Sequence, residues 1–234
     1  MKILIRDAIG KIYHFPFSFP WIILSLIICL IRSFTYSLKI DSGGGKIIIT
    51  DPFISFKIIK HSKAKLSIIG TLKIVPHVNG NNRIVFNLGS TSVFSINGDF
   101  CIGQGVRIFL SQDALLSIGG NDQESSSGIS ADTLIMVFKK IEIGKDFLCA
   151  WNIYITDSDW HQINNQKHHS DVIIGNHVWI ANNVTLLKGT VLGNNIIVAS
   201  NSKVGGNSFS DNVLIAGIPA KVIRNDIKWS RDII

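Results

Sequence analysis

The sequence predicts an all-β chain wound as a parallel β-helix, and three observations carry that prediction. Towards the C-terminus, aliphatic residues recur six apart at Ile174, Ile180, Leu186, Leu192, Val198 and Val204. A second register runs through Val178, Val184, Thr190, Ile196 and Ser202. Period six suits neither an amphipathic helix nor a long alternating strand, so it describes a short strand and a corner, repeated. Gly, Ala and Asn fill the places that must turn, as in Ile174-Gly175-Asn176-His177-Val178 and Leu192-Gly193-Asn194-Asn195-Ile196. Gly and Asn tolerate left-handed backbone angles that β-branched residues do not. Composition agrees: 20 glycines, 17% charged and 46% hydrophobic residues in 234 describe many short strands around a core large enough to hold them. Three corners close a triangular coil, and stacked coils bury their aliphatics inside a prism.

The chain divides into an apolar N-terminal segment (1–39), a β-helix domain (40–224) and a C-terminal tail (225–234). From Phe15 to Ile31 it is nearly all apolar, flanked by Lys2, Arg6 and Lys11 before and by Arg32 and Lys39 after. Pro16 and Pro20 leave Trp21 to Ile31 as a clean helix, too short to span ~30 Å of hydrocarbon. Its long charged lead and lack of a small-residue cleavage site argue against a signal peptide. Two readings stay open: a helix lying in the membrane interface, or one buried against its own domain or an oligomer contact. Residues 46–88 carry short Ile-rich strands without a clean step and read as irregular early coils. Ile96, Ile102 and Ile108 keep the step of six, as do Ile143, Cys149 and Ile155, which makes Cys149 a small core residue. Residues 121–130 are polar and read as a corner loop.

The net charge of +7 admits nucleic acid, an anionic membrane or an anionic small molecule. Basic residues interleaved with aromatics do not extend beyond short pieces such as residues 57–65, so no nucleic-acid partner is expected. Cys29, Cys101 and Cys149 are odd in number and widely spaced, which argues against a disulfide scaffold and fits a reducing compartment.

Between Ile155 and Ile173 the hexads stop and a polar excursion appears, Thr156-Asp157-Ser158-Asp159-Trp160-His161-Gln162-Ile163 and onward to Asp171. A loop thrown out of a rigid solenoid is a candidate site, because the scaffold fixes both of its ends. His161 follows two carboxylates. Its imidazole suits a general base, and Asp157 or Asp159 suits the acceptor that fixes its tautomer. The plain reading of a histidine in a polar loop is a solvated side chain.

The repeat, the block Ile174-Gly175-Asn176-His177-Val178-Trp179-Ile180-Ala181-Asn182-Asn183-Val184 and the ending Ala216-Gly217-Ile218-Pro219-Ala220-Lys221-Val222-Ile223-Arg224 together resemble the hexapeptide-repeat acyltransferases. The likeness is to the maltose, galactoside and capsular-polysaccharide O-acetyltransferases. It is strongest over residues 143–224 and looser back to about residue 46. It implies a left-handed coil, a homotrimer with sites between subunits, and transfer of acetyl from acetyl-CoA to a sugar hydroxyl with His161 as base. Asn182, Ala199 and Ser200 would then line the pantetheine groove, and Lys221 and Arg224 would face the CoA phosphates. Trp179 would line the donor channel or pack between subunits. Gly205-Gly206 stand where the family often has Thr-Lys, which weakens a donor contact there.

The resemblance further implies a cell-surface polysaccharide or glycolipid acceptor, and the apolar stretch from Phe15 to Ile31 adds the expectation of peripheral membrane contact, with a lipid-linked sugar reached in the cytoplasm at the inner face of the membrane. Two other functions fit the same residues: an N-acyltransferase on an amino sugar, and a non-catalytic scaffold or polysaccharide-binding module. No metal is expected. His161, His168 or His169, and His177 invite comparison with the zinc-binding γ-type carbonic anhydrases, but the His-x4-His pair of that class is missing.

Overall fold

The computed structural model describes residues 19–76, 82–121 and 127–231. Lys2, Arg6, Lys11 and the start of the apolar stretch from Phe15 lie outside the described residues, as do 122–126 of the polar corner segment and 232–234 of the tail.

Three sheets form the sides of a prism. Face I has nine strands, from Lys46–Ile49 to Ala220–Arg224; face II has seven, from Phe56–Lys60 to Lys203–Val204; face III has seven, from Lys65–Ile69 to Ser208–Phe209. The chain visits I, II and III in turn, and each strand pairs in parallel with the strand three later. The period of six is this geometry read along the sequence. In the C-terminal coils Ile173 sits beside Val191, Val178 beside Ile196 and Thr185 beside Lys203, each eighteen residues on, or three hexads per turn. Ile174, Ile180, Leu186, Leu192, Val198 and Val204 are all 2% exposed or less and stack over one another, Ile174 on Leu192, Ile180 on Val198 and Leu186 on Val204.

Upstream the stack is as regular although the sequence step is not. Ile102 pairs with Ile129, Ile108 with Ile135, and Cys149 with Ile180. Lys46 likewise pairs with Thr71 and Leu72 with Phe100, and all of these intervals exceed the eighteen residues of the C-terminal coils. The early irregularity therefore lies in corner length and not in the coils. Cys149 is fully buried, and burial pushes its thiol up to about 12, which suits a core side chain and not a nucleophile.

The corners divide the work between Asn and Gly differently from the sequence expectation. The left-handed backbone falls on Asn183 (φ 60°), Asn195 (φ 52°), Asn201 (φ 61°) and even His177 (φ 56°). Gly175 is required by proximity: a Cβ there would lie 2.4 Å from the carbonyl oxygen of Gly193 in the next coil. The asparagines also link coils, since Asn152 Nδ2 donates to Asn183 Oδ1 at 2.6 Å and Asn183 Nδ2 to Asn201 Oδ1 at 3.1 Å.

Both ends of face I are covered. Among the described residues no coil precedes the first strand, Lys46–Ile49, to accept its N–H groups, and unpaired buried donors are costly. The N-terminal helix, Phe19–Ser37, supplies acceptors: Ser33 Oγ takes the Ile49 N–H and Ser37 Oγ the Ile47 N–H, both at 2.9 Å. Arg32 donates to the carbonyls of Pro52 at 2.7 Å and Ile54 at 2.6 Å, and Tyr36 Oη donates to that of Phe56. These contacts carry the helix beyond the Trp21 to Ile31 stretch legible in the sequence. At the other end Ala220–Arg224 folds back antiparallel on Leu214–Gly217. Residues 225–231 then return along face I, where the Trp229 ring stacks on His177 at 3.9 Å and Arg231 pairs with Asp146 at 2.7 Å.

Candidate active site

Face II strand Tyr154–Thr156 and face III strand Val172–Ile174 bracket the excursion, so residues 157–171 leave the prism at the corner between faces II and III. Asp157 anchors the departure. It is fully buried, and its carboxylate accepts the backbone N–H groups of Phe138 at 2.6 Å and of Lys139 and Lys140 at 2.7 Å, all from the preceding coil. The two strands of the loop are pinned across its neck, with Asp159 N–H on the His168 carbonyl at 2.8 Å and Ser170 N–H on the Asp157 carbonyl at 2.9 Å. Trp160 lays its ring against Phe109 and Phe138, with centroids 5.7 and 5.9 Å away, and donates from Nε1 to Thr156 Oγ1 at 3.2 Å. His168 packs edge-on to Phe138 at 4.5 Å and shares a hydrogen bond of 3.0 Å with Ser158 Oγ. The His169 imidazole has its pKa lowered by burial, helped by the charge of Lys167 nearby.

This packing delivers His161 to the exposed side of the loop, next to an immobilised tryptophan. Among the described residues no hydrogen bond joins its ring to either expected carboxylate. The Asp157 oxygens are engaged by the backbone, and Asp159 is paired with Lys188 from the following coil. Lys188 escaped the sequence reading. Its signal was spacing, because it lies about one coil beyond the loop's return at Ser170, whose carbonyl takes the Gly189 N–H at 3.1 Å.

The residues expected to hold CoA gather elsewhere. Asn182, Ala199 and Ser200 sit together at the corner between faces I and II, where Ser200 Oγ donates to Asn182 Oδ1 at 2.7 Å. Trp179 lies on the outer side of face I, 5.9 Å from Trp229 of the chain's own tail. Lys221 and Arg224 are exposed on the closing antiparallel strand. These side chains offer what a pantetheine arm and phosphates need: small and amide-bearing residues along a corner, then two cations. Gly205 and Gly206 share the corner of the excursion, with Gly206 N–H on the Lys188 carbonyl. Within one protomer the excursion that carries His161 and the Asn182 corner therefore leave face II at opposite edges. Between them face II carries a groove of about 350 Å³ lined by Arg107, Asp132, Tyr154, Asn183 and Thr185. His177 is occupied by Asp146 and the Trp229 carbonyl at the far corner, and among the described residues no three His, Cys, Asp or Glu side chains form a metal-holding group.

Residues 171–206 match the family model for the bacterial transferase hexapeptide (six repeats). The chain is 33% identical over 176 residues to the polysialic acid O-acetyltransferase of Neisseria meningitidis, covering 71% of this chain and 80% of that one. The chain belongs to the hexapeptide-repeat acyltransferases. Its prism is accordingly that family's left-handed β-helix, joined here to one N-terminal helix. A second relative, described as lipopolysaccharide biosynthesis O-acetyl transferase WbbJ of Escherichia coli (strain K12), is 37% identical over 107 residues. That match spans 38% of this chain and about half, 53%, of WbbJ. Among solved structures, a crystallographic study of the polysialic acid O-acetyltransferase OatWY superposes with a TM-score of 0.46 at 28% identity, covering 82% of this chain and 92% of that one.

Proposed function

We propose that this acyltransferase transfers acetyl from acetyl-CoA to a hydroxyl of a cell-surface polysaccharide or glycolipid sugar. His161 is the general base, and the site is closed between the subunits of a homotrimer. The observation that carries the reading is the anchored excursion, which holds an exposed imidazole on a rigid neck beside the hexapeptide coils. The names of the relatives, one a polysialic acid O-acetyltransferase and the other an O-acetyl transferase of lipopolysaccharide biosynthesis, support the acceptor class.

In this reading the sugar hydroxyl gives its proton to the His161 ring as its oxygen attacks the thioester carbon. The tetrahedral oxyanion is met by a backbone N–H of an adjacent coil. Collapse breaks the carbon–sulfur bond, and the imidazolium returns its proton to the departing CoA thiolate, leaving an acetyl ester and free CoA. No covalent enzyme intermediate is needed. The separation across face II supports the trimer: a neighbouring prism that sets its Asn182 and Ser200 corner against the excursion would bring thioester and imidazole together. The same neighbour would supply the group that orients His161, since Asp157 and Asp159 are already engaged. Acetyl-CoA as donor puts the reaction in the cytoplasm.

The test is His161→Ala in the purified enzyme, assayed as thiol release from acetyl-CoA with a polysaccharide acceptor. The turnover should fall by about 10²- to 10⁴-fold while CoA affinity and oligomeric mass stay unchanged. Full activity in the variant would overturn the assignment.

A further inference from the structure

We infer that the N-terminal end of the prism is a docking surface for an anionic lipid bilayer, on which the helix Phe19–Ser37 lies flat. This inference does not depend on the transferase reading. It begins from the two faces of the helix. One face, through Cys29, Arg32, Ser33, Tyr36 and Ser37, is tied to the first coil by the hydrogen bonds described above and by burial of Cys29 against Ile48. Because Ser33 meets Ile49 and Ser37 meets Ile47, the helix runs along the free edge of the first strand, across the end of the stack. Its other face must therefore point outward along the prism axis.

That outward face is a continuous apolar stripe at helical spacing: Trp21, Leu24, Ile27, Ile31, Phe34 and then Leu38, all exposed, with Trp21 at 71% and Phe34 at 66%. Phe53, in the turn whose carbonyls Arg32 holds, adds a further ring at 86% exposure. A stripe of this size left in water marks an interaction surface. The stretch Pro20–Ser37 is long and apolar enough to cross a membrane by composition. The tethered face forbids spanning, because crossing would strip Ser33, Ser37 and Arg32 from the coil they complete.

Charge selects the occupant. No acidic residue stands between Asp7 and Asp41, and residues 39–65, which form the coil beneath the helix, hold six lysines against two aspartates. Although Lys60 is paired with Asp41, a first coil with this excess of lysines behind an apolar stripe with a tryptophan near one end matches the headgroup and acyl boundary of an anionic leaflet. A second copy of the chain would bring the same basic coil against itself.

Flotation of the full chain with phosphatidylcholine vesicles, with and without phosphatidylglycerol, tests the inference. The wild type should float with the phosphatidylglycerol vesicles, and Ile31→Glu/Phe34→Glu should weaken that partition by about tenfold or more at unchanged sedimenting mass. Three results would overturn it: a wild type that floats with neither vesicle, or equally with both; a double variant whose oligomeric mass changes, which makes the stripe a contact between copies; or a double variant that floats like wild type, which transfers the binding to residues 1–18.

Discussion

Asp157→Asn separates an anchoring role for this carboxylate from a role in catalysis. Asp157 accepts one backbone N–H on Oδ1, from Phe138, and two on Oδ2, from Lys139 and Lys140. Hydrogen bonds to a charged group contribute about 1.5–3 kcal/mol each. An asparagine keeps its oxygen towards the Lys139 and Lys140 pair and turns its NH2 on the Phe138 N–H, so one bond is lost and one buried donor is left facing another. The charge that strengthened the other two also goes. We expect a cost of about 3 kcal/mol at the neck of the loop, or roughly a hundredfold in its opening equilibrium. Amide hydrogen exchange should show this in residues 138–140 and 157–171 while the C-terminal coils keep their protection. Turnover should fall in step, because His161 loses its fixed base. Unchanged exchange together with reduced turnover would refute this reasoning and return Asp157 to the role of orienting the imidazole.

Other expectations follow from the corners and the tail. Gly175→Ala forces a Cβ to 2.4 Å from a backbone oxygen that cannot retreat, so it should cost about 3 kcal/mol in chemical denaturation. Gly206→Ala meets nothing within 4 Å and carries only the strain of its φ of +65°, about 1 kcal/mol, so the two melting curves should separate clearly. Asp146 is pushed up by burial, but the hydrogen bond with His177 and the charge of Arg231 outweigh this and hold it below its ordinary value. A depressed carboxylate contributes stability above the unfolded pKa near 3.8 and loses it as pH falls through the lower folded value. The tail should therefore stay docked at neutral pH and release only below about pH 4, read as loss of exchange protection around Ile227 and Trp229.

The interior of the prism was legible because burial repeats with the coil: each side chain from Ile174 to Val204 that faces inward declares itself six residues later. The excursion was legible for the opposite reason, as a place where that declaration stops. Contacts between coils were not, since their partners lie a coil apart. Asp157 looked like a partner for His161, four residues on, when its donors sit at Phe138 to Lys140, one coil earlier. Trp179 was read as a donor-channel or subunit contact, and nothing local signalled that Trp229 would return to its side. The helix read as ending near Ile31, because apolar periodicity sees Trp21 and Ile27 but not the hydroxyls of Ser33 and Ser37 that the first strand requires. The surroundings of His161 were not legible either, because the two carboxylates nearest to it in sequence are taken up by the backbone of the preceding coil and by Lys188.

The two serines that complete the first strand also decide whether the molecule remains finite. A stack of parallel coils grows by adding an identical edge to an identical edge, the geometry that propagates cross-β fibrils. Ser33 and Ser37 fill the leading edge of face I with side-chain oxygens, and Ala220–Arg224 reverses direction at the trailing one, so neither can template another chain. A truncation that removes the helix would leave a bare, Ile-rich ladder, and its natural product is a filament.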